Sequence, residues 1–387
     1  MRILHIDTER GWRGGERQAL WLASELGRRG HGSIVAARPG EPLAQRAIEA
    51  ALEVVACTPR FEADPRVALR LRRFIRNRRV DLVHAHTAHA VGLGALATIV
   101  SGLPLVASRR VDFHLRPNVG TRWKYGRAAA VIAISHAVAD VLASDGIDRA
   151  KIAIVPDGTD VHRHIIPASS SALNALGVKQ GAPLVVQVAQ LVPHKDPVNF
   201  VRAIAMARER VPTLQALLVG EGELRMAVEN TARALNLSGA LHVVGYRNDA
   251  DALLAAADVA VLSSQEEGLG SVLLDALLLG KPIAATRAGG IPDVVQHEIT
   301  GLLAPVRDSG ALGAHIATLL MNRELATRLG AAARLRAAEF SVERMADRTL
   351  AVYERVLTRV PLDVRDETSR LTDAATRTRS ASSTRAP

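Results

Sequence analysis

A chain of 387 residues, 48% apolar and 23% charged, has a globular composition and is long enough for two domains of ~100–200 residues each. Its single cysteine, Cys57, excludes a disulfide framework and any multi-cysteine zinc or iron–sulfur centre, and points to a reducing compartment. The formal net charge of +10 is compatible with nucleic acid, but aromatic residues are only 3%, too few for base-stacking platforms, and no nucleic-acid-binding module is recognisable, so that partner is not expected.

The chain opens with charge at Arg2, Asp7, Glu9 and Arg10 and without the ~7–15-residue apolar core of a secretory signal, so a cytoplasmic location is expected. Residues 3–7 read as a buried strand, Gly14-Gly15 as a turn, and 16–29 as a helix with the stripe Ala19, Leu20, Leu22, Ala23 and Leu26, ended by Gly30. Strands are expected at 33–37, 82–85, 105–107, 131–134 and 152–155. Helices are expected at 65–77 and 135–142, the latter N-capped by the Ser135 hydroxyl. The longest uncharged stretch, 88–108, is interrupted by Gly92, Gly94, Ser101, Gly102 and Pro104. It reads as a buried helix-like piece and a strand-like piece rather than a membrane span.

Residues 65–79 place Val67, Leu71, Phe74 and Ile75 on one helical face and Arg66, Arg70, Arg73, Arg76 and Arg78 or Arg79 around the rest. Such a helix either packs a core-facing stripe under a solvated back or meets an anionic membrane surface or phosphorylated glycolipid. The charge balance favours the second use. Residues 1–165 hold 25 Lys and Arg against 16 Asp and Glu, whereas 166–387 hold 24 against 23. A peripheral place on the inner face of the cell membrane is therefore expected.

Residues 162–181 read as a linker. The pattern then restarts with strands at 184–188, 215–219, 241–244, 259–262 and 282–285, helices at 198–210 and 224–235, and closing helices from 312 and 342. Two Rossmann-like α/β domains with parallel sheets result: 1–165, and 166–340, followed by a helix at 341–360. The polar, aperiodic tail 361–387 is expected to be disordered.

The segment 263–282, Ser-Ser-Gln-Glu-Glu-Gly-Leu-Gly-Ser-Val-Leu-Leu-Asp-Ala-Leu-Leu-Leu-Gly-Lys-Pro, carries the chemistry. It follows a strand and opens a helix. Gly268 and Gly270 let a turn approach a ligand, the N–H groups of Ser271, Val272 and Leu273 suit a phosphate, and Glu267 and Asp275 supply acceptors for hydroxyls. That combination fits a sugar nucleotide.

The same segment resembles the donor-binding signature of retaining family 4 glycosyltransferases, with Asp275 where the family usually has Glu and Leu269 where it has Phe. The resemblance extends over residues 1–357. It runs through Gly14-Gly15-Glu16, Gly30-His31, Asp81-Leu82-Val83-His84-Ala85-His86, 131–135, 155–160, 191–196 with Lys195, Gly220-Glu221-Gly222, Gly245-Tyr246, and Gly289-Gly290 followed by Asp293. It implies a GT-B fold, two Rossmann-like domains facing across a cleft, with the last helix returning to the first domain.

By the same resemblance, Glu267 would bind donor-sugar hydroxyls, the N–H groups of 271–273 the diphosphate, Asp275 the ribose, and Lys195 the departing phosphate. Gly14 and Gly15 would admit the first-domain loop to donor and acceptor. No metal is expected, and transfer would retain anomeric configuration. Three departures stand out: Gln190 where relatives carry Arg, Asp275 for Glu, and Arg109-Arg110 where relatives have His, with Arg110 aligned to supply the missing cation from across the cleft. His84 and His86 sit either in the cleft or in the core, and neither is assigned a proton transfer. Tyr246 either flanks the base or packs. The acceptor would be a glycan or lipid-linked glycan of the cell envelope, such as lipopolysaccharide. The rival readings are a catalytically lapsed sugar-nucleotide scaffold or sensor and a GT-B nucleotide-sugar epimerase.

Overall fold

The computed structural model describes residues 1–358, so residues 359–360 of the expected closing helix and the whole tail 361–387 lie outside the described residues. Seven strands form the first sheet: β1 (Arg2–Ile6), β2 (Gly32–Ala37), β3 (Glu53–Ala56), β4 (Leu82–Ala85), β5 (Leu105–Arg109), β6 (Ala130–Ala133) and β7 (Ile152–Ile154). Six form the second: β8 (Leu184–Val188), β9 (Gln215–Val219), β10 (Leu241–Gly245), β11 (Val259–Leu262), β12 (Ile283–Thr286) and β13 (Leu302–Ala304). The orders are β3-β2-β1-β4-β5-β6-β7 and β10-β9-β8-β11-β12-β13, and every pairing is parallel. The chain is α/β with two Rossmann-like domains.

Each sheet reverses its winding at one point, between β1 and β4 and between β8 and β11, and open parallel sheets bind ligands beyond the carboxyl ends of strands at such points. The residues that follow those strands are therefore placed for chemistry by topology alone. Helices cover both faces, so the central strands are buried on both sides and read as nearly continuous apolar runs. The helix Ala88–Thr98 and β5 are the two pieces of the long uncharged stretch. Ser135 caps its helix, Oγ accepting from Val138 N at 3.2 Å. Among the described residues no helix is long and apolar enough to cross a membrane.

The helix Val342–Thr358 leaves the second domain and packs on the first, where Met345, Ala346, Val352 and Tyr353 join Ile3, Leu22, Leu26 and Val106 in one buried cluster. Large apolar side chains contribute roughly 1.5–3 kcal/mol each on full burial. The crossing itself is stitched by Thr159 N to Phe340 O at 2.7 Å and Val342 N to Thr159 O at 3.1 Å. Gly158 is needed there, since a Cβ would lie 2.9 Å from Val342 Cα.

Two expectations are corrected. The stretch 162–181 is not wholly irregular: the short helix Ser170–Ala175 lies inside it, capped by Ser169, with no buried residue and hence no apolar period to betray it. The edge strand β3, the three-residue β13, and the helices Val119–Gly126 and Arg323–Arg336 are additional elements, too short or too weakly periodic to stand out in sequence.

Candidate active site

The carboxyl ends of the two sheets face one another across a cavity of about 210 Å³. The first domain contributes Gly14, Gly15, Arg110, Asp112, Phe113 and Asp157, and the second Gln190, His194, Lys195, Glu267 and Gly268 to Ser271. Two cations, Arg110 and Lys195, and the carboxyl groups of Asp112, Asp157, Glu266 and Glu267 thus meet near the start of a helix, Ser271–Leu278. The helix is entered through Gly270 at φ +84°, a left-handed conformation that a side chain would strain.

Ser263, at the end of β11, organises the second-domain wall. It is fully buried, accepts from Gln187 Nε2 at 3.1 Å, and its hydroxyl lies 2.9 Å from Asp196 O. Gln265 Nε2 adds a bond to Asp196 Oδ2 at 2.7 Å. The turn that carries Lys195 is therefore tied to the loop after β11 that carries Glu267. Lys195 Nζ pairs with Glu267 Oε2, which also accepts from Ser264 Oγ at 3.0 Å.

The domains touch through backbone. Glu267 N donates to Asp112 Oδ2 at 2.7 Å, and His136 N donates to Asp293 Oδ2 at 2.7 Å. A Cβ on Gly268 would fall 2.3 Å from Arg110 O, and one on Gly290 would fall 2.7 Å from Ser135 Cβ. These glycines let the walls close. Gly14 approaches the helix start, its Cβ position lying 3.3 Å from Ser271 Oγ.

Arg110 is held from behind. Its Nε donates to Asp157 Oδ1 at 3.0 Å, Nη1 donates to His86 O at 3.2 Å, and the same nitrogen lies 3.4 Å from His86 Nδ1. Because a guanidinium only donates, His86 Nδ1 is assigned as the acceptor, which puts the ring proton on Nε2. That nitrogen faces His5 Nδ1 at 3.0 Å. His84, opposite His5 in the β1–β4 register, bonds Tyr353 Oη at 2.6 Å and Ser108 Oγ at 2.7 Å.

All three rings are buried, and burial holds them neutral. His5 is lowered to about 3, and His84 and His86 fall well below the usual imidazole range, with nearby Arg110 adding to the effect. His84 and His86 therefore belong to the core behind the cleft. The three rings form a close cluster, but both nitrogens of His84 are already engaged by hydroxyls. Asp7, directly after β1, is pushed up to about 7 by burial, with Oδ2 lacking a partner. Burial also raises the Asp157 carboxyl, against the pull of Arg110.

The remaining expected residues are placed as follows. Asp275 is buried and does not line the cavity. Arg163 Nη2 lies 2.9 Å from its Oδ1, Thr159 Oγ1 donates to the same oxygen at 3.2 Å, and Arg17 Nη2 is 3.6 Å from Oδ2. A ribose role requires those contacts to exchange. Leu269 and Leu273 pack in the core, Val272 is partly buried, and Tyr246 is 66% exposed outside the cavity. Arg109 bonds the Phe113 carbonyl and shapes the loop instead of lining the site.

Asp112, Phe113, Asp157 and His194 line the cavity without having been singled out in the sequence. Phe113 meets His194 edge-on across the cleft, with ring centroids 5.3 Å apart. Asp112 and Phe113 adjoin Arg110, and Asp157 lies in the 155–160 segment, so only the pairing across the domains was missing.

Comparisons with known proteins bear on this site. A profile described as Glycosyltransferase Family 4 matches residues 12–163, and one described as Glycosyl transferases group 1 matches residues 171–336. The MMP alpha-(1->4)-mannosyltransferase of Mycolicibacterium hassiacum is 30% identical over 332 residues, 78% of each chain. The UDP-Gal:alpha-D-GlcNAc-diphosphoundecaprenol alpha-1,3-galactosyltransferase of Escherichia coli is 26% identical over 261 residues, 63% of this chain and 67% of that protein. Alignments with several other curated bacterial relatives span about half of those proteins' length. Anabaena HepE in complex with UDP superposes with a TM-score of 0.80 at 22% identity, covering 92% of this chain and 100% of that one, which establishes the GT-B fold. With both domains matched in order and one relative aligned along most of its length, the chain belongs to glycosyltransferase family 4.

Proposed function

We propose that the enzyme moves a sugar from a nucleotide-diphosphate sugar to a glycan or lipid-linked acceptor in cell-envelope polysaccharide or lipopolysaccharide synthesis. In this reading it retains anomeric configuration, needs no metal ion, and works on the cytoplasmic side of the membrane, in peripheral contact with its anionic surface. The observation that carries the reading is the meeting of Lys195 and Arg110 with Glu267 and the Ser271 helix start, across the carboxyl ends of the two sheets. The donor and lipid diphosphate acceptor in the E. coli relative's name, and the lipopolysaccharide core role in that of Rhizobium meliloti LpsE, support the substrate classes.

Breaking the bond between sugar and diphosphate leaves negative charge on the phosphate. Fixed cations and aligned N–H groups stabilise that charge without reorganising. Lys195, Arg110 and the N–H groups of Ser271 and Val272 take this role, the expected third donor, Leu273 N, being engaged by Gly270 O at 2.8 Å, and Glu267 accepts from the donor sugar's hydroxyls. Donor binding exchanges the Lys195–Glu267 pair for phosphate on the lysine and hydroxyl on the carboxylate. Retention follows from attack on the face the diphosphate leaves, with the departing phosphate oxygen taking the acceptor's proton. Gly14 and Gly15 keep that face open to the acceptor. Because 210 Å³ is below the roughly 300–1,000 Å³ of small-molecule sites, donor entry parts the domains and breaks the Asp112–Glu267 contact.

A thermal-shift panel of UDP, GDP, ADP and their sugar conjugates, with and without EDTA, tests the donor reading. One nucleotide is expected to raise the melting temperature by several degrees, since a ligand at a hundredfold its Kd adds about 2.7 kcal/mol, and EDTA is expected to leave the shift unchanged. Absence of a shift with every nucleotide contradicts the donor site, and an EDTA-sensitive shift contradicts metal independence.

A further inference from the structure

The loop that leaves β5 lines the cleft with four consecutive residues, Arg110, Val111, Asp112 and Phe113. Arg110 brings charge, and Asp112 accepts from Glu267 N at 2.7 Å. Phe113 does neither: a phenyl ring carries no charge and no hydrogen-bonding group, so it has no part in stabilising the departing phosphate. Yet it is 40% exposed, with Val111 at 37%, in a cavity otherwise lined mostly by polar, charged and glycine residues.

The ring's position is set in advance by the loop. Arg109 Nη2 donates to Phe113 O, and Asp112 is tied to the opposite domain. Just beyond, Leu115 N donates to Asp145 Oδ2 at 2.6 Å, and His114 Nδ1 lies 2.7 Å from Asp145 Oδ1. An apolar surface already fixed in place spares a ligand the cost of ordering it. Across the cleft the ring meets His194 edge-on, and its exposure leaves the rest of its surface open to the cavity.

A pyranose is the ligand class that suits such a surface. Its hydroxyls lie around the rim and pair with polar groups, whereas its C–H faces are apolar, and the negative face of an aromatic ring attracts those hydrogens. A nucleobase also stacks, but Phe113 stands at the wrong end for one: the adjacent Asp112 holds the amide of Glu267, the residue assigned to the transferred sugar. Two sugars meet at that end, the donor's and the acceptor's. Glu267, Lys195 and the Ser271 helix start, which take the donor, belong to the second domain, and Phe113 faces them from the first.

We propose that Phe113 stacks on the terminal pyranose of the acceptor, so that the group receiving the transferred sugar is itself a sugar ring and not a bare polyol or a lipid phosphate. The proposal rests on the transferase reading and deepens it by naming the acceptor's receiving unit.

Saturation-transfer NMR tests it. The full chain is loaded with a non-transferable C-glycosyl analogue of the donor identified by thermal shift, which fills the donor site, and is titrated with methyl glucoside, methyl galactoside and methyl N-acetylglucosaminide. Irradiation of aromatic protons is expected to saturate the C–H protons on one face of at least one glycoside. Phe113→Ala is expected to weaken that glycoside about tenfold, the upper worth of an aromatic contact, with analogue affinity and melting temperature unchanged. Phe113→Tyr, which keeps the ring, is expected to keep the wild-type pattern. Weaker analogue binding in Phe113→Ala with glycoside affinity unchanged assigns the ring to the transferred sugar and overturns the acceptor assignment. Equal loss of both, with a lowered melting temperature, makes the ring interdomain packing and overturns it too. So does an analogue-loaded wild type that binds none of the glycosides. A wild type that binds no donor analogue overturns the donor reading itself, and this inference with it.

Discussion

Lys195→Ala is expected to lower kcat for sugar transfer by about 10²–10³-fold, the loss found when one preorganised group that stabilises developing charge is removed. The position equivalent to a relative's arginine is Gln190, an amide that donates hydrogen bonds but adds no charge. Lys195 and Arg110 are therefore the two lysine or arginine side chains lining the cavity among the described residues. Neither substitutes for the other: Lys195 is positioned by the Ser263 and Gln265 bonds to its turn, and Arg110 approaches from the opposite domain. Arg110→Ala is expected to cost a similar factor in kcat and also to destabilise, because it strands the buried Asp157 carboxylate. Lys195→Arg is expected to recover part of the rate. Steady-state kinetics with donor varied at saturating acceptor measures these effects. A Lys195→Ala enzyme with an unchanged kcat and a raised KM shows a purely ground-state contact and removes the leaving-group role.

The fold is expected to lose stability in acid, as pH falls from about 6.5 towards 3. Unfolded His5 takes a proton near 6.5, but the buried ring does not until about 3, so the stability that its neutral form contributes disappears as pH falls through that window. His84 and His86 act in the same direction. Asp7 opposes them: the folded carboxyl keeps its proton up to about 7, against 3.8 when unfolded, so its contribution is present in acid and is lost as pH rises towards 7. Each ring that stays neutral in the fold while the unfolded chain binds its proton contributes up to about 1.36 kcal/mol per pH unit, and the raised carboxyls of Asp7 and Asp157 offset part of it. Urea unfolding at pH 7, 6 and 5 measures the slope. A stability independent of pH across that range means that the three rings are not buried and neutral together.

The central strands were legible because both faces are buried: 184–188, 215–219 and 259–262 are apolar runs broken only by Gln187 and Gln215, and each appears with the expected ends. β3 was not, since Glu53 and Ala56 are exposed and an edge strand keeps little pattern. The helix Val119–Gly126 buries only Lys124 and Tyr125, again too few positions for a period. Of the site, the segment from Glu267 to Ser271, together with Lys195, was readable, because a strand–glycine–helix sequence encodes its own geometry. The partners that act across the cleft were not: Asp112 on the Glu267 amide, and Arg163 with Thr159 on Asp275, meet only because two domains pack. No local pattern encodes that meeting. His84 and His86 show the converse, where a motif suggested a cleft position and the β1–β4 register placed the rings in a hydrogen-bonded cluster behind Arg110.

The most direct test of the account is to follow one turnover by NMR, with an α-linked nucleotide-sugar identified by its binding, a short glycan acceptor, and both the wild type and Glu267→Gln. Transfer to the acceptor with an α linkage by the wild type, stoichiometric release of nucleoside diphosphate, and near-complete loss of transfer in the variant are the predicted result. A β-linked product, isomerised donor formed without acceptor, or equal activity in Glu267→Gln would contradict it.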